Sequence, residues 1–237
     1  MESLFTFVSP PGSCGYLPDR TWQLQYEVVG QLDPGEYEER LREGWRRFGY
    51  AMFRTACPAC RACRPLRVPV ATFKPDRSQR RAWKESHADV RINIGEPEAT
   101  RDKLALYDKF HKFQHDLKGW PIHDTENASE YIESFVDNPF PVQEWTFHLG
   151  EKLVGVGFVD RLPQSLSAIY FYHDPDERDR SLGTLNVLSV IAAARTWGLP
   201  HVYLGFYVDG CRSLEYKGRF RPNEALDADG EWRPFLV

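Results

Sequence analysis

Cys57, Cys60 and Cys63 constrain the local fold of this 237-residue chain more than any other feature. Two-residue spacing lets a tight knuckle turn successive thiolates toward one point, where they can hold a metal ion or an iron-sulfur centre. A fourth cysteine, Cys14, precedes Gly15-Tyr16-Leu17-Pro18-Asp19-Arg20. The competing reading is four buried or incidental thiols, since free cysteine packs as a small hydrophobe. Five cysteines, three of them within seven positions, fit a reduced compartment and metal ligation better than a disulfide scaffold. Cys211, far along the chain, reads as an ordinary thiol.

The knuckle lies in the most basic stretch. Between Arg40 and Arg91 there are 14 Lys and Arg against 4 Asp and Glu, a local +10 inside a chain whose formal charge is −4. Such segregation gives one face the positive field that a phosphate backbone needs, although a solvated basic face would look the same. No apolar run approaches the roughly 20 residues of a membrane helix, and Met1 to Val8 carries no basic leader, so a cytoplasmic protein without membrane contact is expected.

Asp33-Pro34-Gly35-Glu36 predicts a helix start with a capping box, and the helix runs to about Trp45. Tyr50 to Arg54 and Arg67 to Phe73 read as short strands on either side of the knuckle. Residues 1–75 are therefore expected to form a small unit around the cysteines, its thin core helped by a bound centre. After Pro75-Asp76, Arg77, Arg80, Arg81 and Lys84 recur at helical spacing and put four cations on one stripe. Val90 to Ile94 predicts a strand, and Pro97 to Leu117 and Asn127 to Val136 predict helices. Strands at Val142 to Leu149, Lys152 to Asp160 and Ser167 to His173 follow, the first two joined by a Gly150-Glu151 turn. Ser181 to Trp197 is apolar nearly all round, which predicts a buried helix closed by Gly198. His201 to Phe206 resumes extended chain, a short helix surrounds Ser213 to Tyr216, and a last strand ends an α+β domain of residues 76–237.

Cys14-Gly15-Tyr16-Leu17-Pro18-Asp19-Arg20, Gly44-Trp45-Arg46-Arg47, Cys57-Pro58-Ala59-Cys60-Arg61-Ala62-Cys63-Arg64-Pro65-Leu66-Arg67-Val68 and Ser78-Gln79-Arg80-Arg81 resemble the N-terminal half of the arginyl-tRNA–protein transferase family, in its bacterial leucyltransferase branch. Arg180-Ser181-Leu182-Gly183-Thr184, Gly198-Leu199-Pro200-His201-Val202-Tyr203-Leu204-Gly205 and Tyr216-Lys217-Gly218-Arg219-Phe220-Arg221-Pro222 resemble its C-terminal blocks. The resemblance implies a small cysteine-containing N-terminal domain followed by a Gcn5-related N-acetyltransferase-like domain. It further implies an enzyme that moves leucine from Leu-tRNA onto the N-terminal Asp or Glu of proteins, which marks them for N-degron degradation. Iron-sulfur and zinc both have precedent in the family for the set Cys14, Cys57, Cys60 and Cys63.

Candidate site residues follow. Arg61, Arg64, Arg67, Arg77, Arg80, Arg81 and Lys84 are expected on the tRNA backbone, where cations give affinity without sequence information. Lys217, Arg219 and Arg221 alternate with Tyr216, Gly218 and Phe220, so an extended segment would put the cations on one face. That face, with Arg180, could grip an acidic side chain or the terminal phosphates of tRNA. Arg180 to Leu185 resembles a pyrophosphate loop at a helix N-terminus, but Leu185 stands where a coenzyme A site needs Gly or Ala, so no coenzyme A is expected. His111 and His115, one turn apart, read as solvated helix residues.

No protein nucleophile is required, because an α-amine of pKa about 7.7–8.0 meets an activated ester. Positioning and oxyanion donors then supply the rate. Tyr172, Asp174, Glu215 and Tyr216 are the candidates for moving the proton. The same reaction with arginine, a non-catalytic metal-binding RNA module and an acetyl-CoA-dependent transferase remain as alternatives.

Overall fold

The computed structural model describes residues 1–120 and 128–235. The chain begins with β1 (Glu2–Val8), a two-residue ladder of β2 (Gly12–Ser13) with β3 (Thr21–Trp22), and β4 (Leu24–Gln31). Helix α1 (Pro34–Arg42) has the predicted N-cap, with Pro34 opening it and the Asp33 carboxylate accepting from the Gly35 and Glu36 amides at 2.8 and 3.2 Å. The Glu36 carboxylate, however, pairs with the Met1 ammonium instead of closing a capping box, and the helix ends at Arg42, short of Trp45. Strands β5 (Arg46–Phe48) and β6 (Ala51–Thr55) then complete an antiparallel four-stranded sheet in the order β1-β4-β6-β5.

The second sheet has eight strands. Its first member in the chain is β7 (Arg64–Pro69), which follows the cysteine knuckle directly. Helix α2 (Arg77–His87) closes its start with the Asp76–Gln79 capping box, β8 (Val90–Gly95) follows, and α3 (Arg101–Lys118) is capped by the Thr100 hydroxyl. A single turn α4 (Ser129–Tyr131) runs into a wide turn at Ile132–Val136; Asn127, where the sequence reading began this helix, lies outside the described residues. Then come β9 (Val142–Leu149), β10 (Lys152–Arg161) and β11 (Ser165–His173), with Gly150 at φ +57° in the hairpin turn. Helix α5 (Leu182–Thr196), β12 (His201–Tyr207), the short α6 (Arg212–Glu215), a tight turn at Tyr216–Arg219, β13 (Glu224–Leu226) and β14 (Trp232–Pro234) end the chain.

The order β14-β13-β7-β12-β11-β10-β9-β8 makes a mixed α and β fold, antiparallel except where β11 meets β12. β7 sits inside this sheet, between β13 and β12, so the sheet draws a central strand from the near side of the residue-75 boundary expected from sequence. Helix α5 is buried through most of its length, as its composition predicts, with Arg195 and Thr196 exposed at its end, and packs Leu185, Val190 and Ile191 against Leu66, Phe147 and Leu166 of the sheet. A second core beneath α1 joins Tyr37, Leu41 and Met52 to Phe140 and Tyr203, and an aromatic core beneath α3 gathers Tyr107, Phe135, Phe158 and Tyr172.

Between the two sheets stands a buried ion pair. Arg47 of β5 grips Asp160 of β10 at 2.7 and 2.9 Å with side chains 1% and 0% exposed, and the Tyr37 hydroxyl donates to the same carboxylate at 2.7 Å. Among the described residues no helix is long and apolar enough to cross a membrane.

Candidate functional site

β11 and β12 pair in parallel only over Ser165–Ser167 with His201–Tyr203, and beyond that point the ladder between them ends. β12 meanwhile bulges against β7 between Tyr203 and Gly205. Gly205 takes φ +85°, which favours glycine, and a Cβ there would stand 3.3 Å from Lys217 Nζ and 3.4 Å from Arg46 Nε. The opening beside β11 is occupied by Arg46, whose Nη1 donates to Ser167 Oγ at 3.1 Å and whose Nη2 donates to the Ala168 carbonyl at 2.7 Å. Two cations, one from each sheet's neighbourhood, therefore meet over a glycine where two strands part.

Their partners are neutral. Arg46 bonds oxygens of uncharged groups, and among the described residues neither it nor Lys217 forms an ion pair with a carboxylate. Burial, and then the adjacent guanidinium, draw the Lys217 ammonium down to about 7. Burial lowers Arg46 as well. A buried guanidinium beside a half-buried ammonium, with no counterion among the described residues, makes a receptor for an anion.

Two tyrosines lie near this cation pair, Tyr216 as the residue before Lys217 and Tyr16 through Cys211, which influences both Tyr16 and Lys217. Tyr216 keeps 39% of its surface accessible, yet burial pushes its phenol up to about 12. Tyr16 is 44% exposed and is also raised, by burial and then by the sulfurs of Cys63, Cys211 and Cys14. A side chain that water can touch while its surroundings still desolvate it lines a concavity. Cys211, which reads from sequence as an ordinary thiol, is buried beside this same place, close enough to influence Cys63, Tyr16 and Lys217.

The cysteine segment forms the adjoining wall. Burial, followed by the sulfurs of Cys14, Cys57, Cys60 and Cys211, pushes the Cys63 thiol up to about 12, so the four expected cysteines share one neighbourhood. The Tyr16 amide donates to Cys14 Sγ at 3.4 Å and the Gln23 amide to Cys57 Sγ at 3.5 Å. Arg61 ties the knuckle by donating to the carbonyls of Cys57 and Cys60. All five thiols are free. Among the described residues no three His, Cys, Asp or Glu side chains stand as ready ligands around one ion.

The remaining candidates divide. Arg77, Arg80, Arg81 and Lys84 are all exposed along α2, whose other face, with Gln79, Ala82 and Ser86, is buried toward α5. Arg64 and Arg67 instead lie over the rings of Phe235 and Trp232, and Arg67 also pairs with Glu224 at 2.7 Å. Arg61, exposed but bonded to the knuckle carbonyls, Arg64 and Arg67 thus have partners within the chain, as do Arg80, which donates to the Pro75 carbonyl, and Arg81, which pairs with Glu85 at 3.7 Å. Arg180 is likewise paired, with Glu177 and Asp89.

Tyr172 is 0% exposed and shares a 2.8 Å hydrogen bond with Tyr131, which removes it from contact with substrate. Asp174 is buried too; burial alone would raise its pKa, but Lys109 and Lys152 hold it down to about 2, and it caps the turn at Pro175–Arg180. The extended segment expected for Lys217, Arg219 and Arg221 is a tight helical turn through Arg219. Lys217 alone enters the recess; Arg219 is exposed, and Arg221 bonds back to the Gly218 carbonyl at 3.1 Å. Glu215 is exposed at the end of α6, one residue from Tyr216. His111 is not solvated: it is buried, with its ring nitrogens against the Tyr107 carbonyl at 2.8 Å and the Tyr170 hydroxyl at 2.9 Å. Arg46 went unassigned by sequence reasoning, although it stands in one of the resembling motifs.

Comparison with known proteins accounts for nearly the whole chain. Residues 12–81 match the family described as arginine-tRNA-protein transferase, N terminus, and residues 102–227 match arginine-tRNA-protein transferase, C terminus. Aspartate/glutamate leucyltransferase of Marinobacter nauticus is 36% identical over 98% of this chain and 97% of its own. The proteins of that name from Chromobacterium violaceum and Campylobacter jejuni are 34% and 32% identical over 98% and 95% of this chain and 95% and 94% of theirs. Solved structures aligned with the fold include FemX, at 8% identity and TM-score 0.48 over 92% of this chain and 84% of that one. Another is a C-terminal domain of a putative lysylphosphatidylglycerol synthetase from Agrobacterium fabrum, at 13% and 0.48 over 86% and 64%. The chain is thus an aminoacyltransferase. It belongs to the arginine-tRNA-protein transferase family.

Proposed function

We propose that this enzyme takes leucine from Leu-tRNA and joins it to the N-terminal Asp or Glu of proteins in the cytoplasm, marking them for N-degron degradation. The observation that carries the acceptor side of this reading is the Arg46–Lys217 pair, two cations that among the described residues have no carboxylate partner. An acidic side chain is the anion they suit, since a guanidinium binds carboxylate through two parallel hydrogen bonds and the lysine adds a point charge. The parted strands β11 and β12 support an acetyltransferase-like transfer domain, with the gap receiving the reacting ends.

Anchoring the acidic side chain fixes the neighbouring α-amine. Its lone pair attacks the carbonyl carbon of the leucyl ester, the new C–N bond forms as the C–O bond to the ribose breaks, and the amine proton ends on the departing ribose oxygen. Holding amine and ester together supplies much of the rate. Tyr216, whose phenol stays protonated to about 12, is the candidate donor to the developing oxyanion or the leaving oxygen. Glu215 is a candidate to take up the amine proton at the rim. The exposed cations of α2 suit the tRNA backbone.

Cys14, Cys57, Cys60 and Cys63 would hold an iron-sulfur or zinc centre. The donor set fits in chemistry, with four thiols in one neighbourhood and backbone amides aimed at two of the sulfurs. Its contribution would be to fix the wall that carries Tyr16.

The test is to incubate anaerobically purified enzyme, with metal and sulfide content recorded, with an Asp-starting peptide and separately charged Leu-tRNA and Arg-tRNA. Leucine on the peptide N-terminus, read by mass, is expected. Addition from Arg-tRNA alone would overturn the leucyl reading, and no addition from any charged tRNA would overturn transfer itself.

A further inference from the structure

The four-stranded sheet presents an aromatic row that packing does not explain. β1 is its edge strand and is exposed along its whole length. On it Phe5 and Phe7, two residues apart and so on one face, are 56% and 44% exposed. Large apolar rings left in water on a sheet edge mark a surface that something covers.

Geometry gives the row a direction. The Phe5 and Phe7 rings lie 5.9 Å apart at 25°, and Phe7 and Tyr26 lie 5.0 Å apart at 16°, a near-parallel column whose outer end at Phe5 is open. Strand registers continue the row, but not its parallel stacking: Phe7 faces Tyr26, Tyr26 faces Phe53 with the rings 6.1 Å apart and tilted by 42°, and Phe53 faces Arg46. One residue from each of the four strands thus spans the sheet, a distance of about 14 Å for three strand spacings. The inner end is Arg46, beside Lys217 over Gly205.

We infer that this row is the seat of the unpaired 3′ end of tRNA, its bases stacking at the open Phe5 and Phe7 end and its terminal nucleotide running along the row so that the ester arrives at Arg46 and Lys217. The inference rests on the reading that charged tRNA is the donor. Stacking platforms hold single-stranded RNA because every base offers a flat face, and near-parallel rings spaced along a track are their form. A protein strand adding to β1 would use the edge backbone and leave the ring column without a role. The continuity of the row with the cation pair is what singles out the RNA end as occupant. Phe5 and Phe7 lie before residue 12, outside the segment matched by the N-terminal family description.

The probe is uncharged tRNA, either intact or with its unpaired 3′ nucleotides removed, titrated against the full-length protein by fluorescence anisotropy. Wild type is expected to bind the intact form more tightly. Phe7→Ala should lose roughly tenfold in affinity for intact tRNA and nothing for the trimmed form, and Phe7→Tyr should keep the preference. Phe5→Ala, at the more exposed ring, carries the same expectation should Phe7→Ala fail to fold. Equal affinity of wild type and Phe7→Ala for intact tRNA would sink the inference, as would an equal loss on both forms. A change in particle mass by light scattering without a change in RNA preference would assign the face to a second copy of the chain, and would also overturn it. Leucyl transfer to the peptide is measured on the same preparations. Transfer by wild type with no 3′-end-specific loss in the variants refutes this inference alone, whereas absence of transfer from any charged tRNA refutes the function on which it rests.

Discussion

A lysine drawn down to about 7 is charged only part of the time at neutral pH, so Lys217 becomes a full cation when an anion arrives. A bound carboxylate raises its pKa again, and binding an acidic N-terminus must therefore take up a proton. By linkage, affinity for an Asp-starting peptide falls as pH climbs above about 7, by at most about tenfold per pH unit. The peptide α-amine becomes neutral toward about pH 8, so turnover of bound peptide rises over the same range. KM and kcat should thus both increase from pH 6.5 to 8.5, while Lys217→Met has a raised KM at pH 6.5 that barely changes with pH. Steady-state kinetics across that range checks this, and a KM profile unchanged by the substitution would remove Lys217 from acid recognition. Lys217 was legible in the sequence, but its companions were not. The alternation that seemed to align Arg219 and Arg221 is lost in a tight turn, where a Cβ on Gly218 would stand 2.9 Å from the Tyr207 ring. Arg46 reaches an oxygen 121 residues away, a meeting that no local spacing encodes.

At the scale of elements, the sequence told most where a local signal coincides with burial. The helix start after Pro75-Asp76, the nearly all-apolar α5 and the hairpin at Gly150 stand where spacing places them, because each depends on neighbours within a few positions. β1 and β4 are not among the strands the sequence reading assigns, although Phe5-Thr6-Phe7 and Leu24-Gln25-Tyr26-Glu27-Val28 do alternate apolar and polar residues. What holds their sheet to the rest is the buried Tyr37–Arg47–Asp160 cluster, which sequence reading did not foresee. Removing one partner of such a pair leaves an uncompensated charge inside the protein, a loss of about 3–5 kcal/mol. Asp160→Ala is accordingly expected to lower the urea midpoint by that amount of stability with the denaturant slope unchanged. A loss below about 1 kcal/mol would mean that water reaches Arg47 and that the cluster does not join the sheets.

For the whole molecule, the decisive strand is β7. It hydrogen-bonds β12 on one side and β13 on the other, and it sends Leu66 and Val68 into the main core. A chain cut at residue 75 would leave β12 and β13 facing an empty slot, with two unpaired strand edges and a cavity where those side chains had packed. Arg46 would be lost with the same cut, so the recess exists only when both segments are present. The full chain should therefore unfold in one transition by far-ultraviolet circular dichroism and tryptophan fluorescence, with coincident midpoints. Residues 76–237 alone should show no cooperative urea transition. If that fragment unfolded cooperatively with a native-like near-ultraviolet spectrum, β7 would be an addition to a self-sufficient domain, and Arg46 would approach Lys217 only when two separate bodies dock. Coincident transitions instead make the cation pair a product of the fold itself, held at its spacing over Gly205 before either substrate binds.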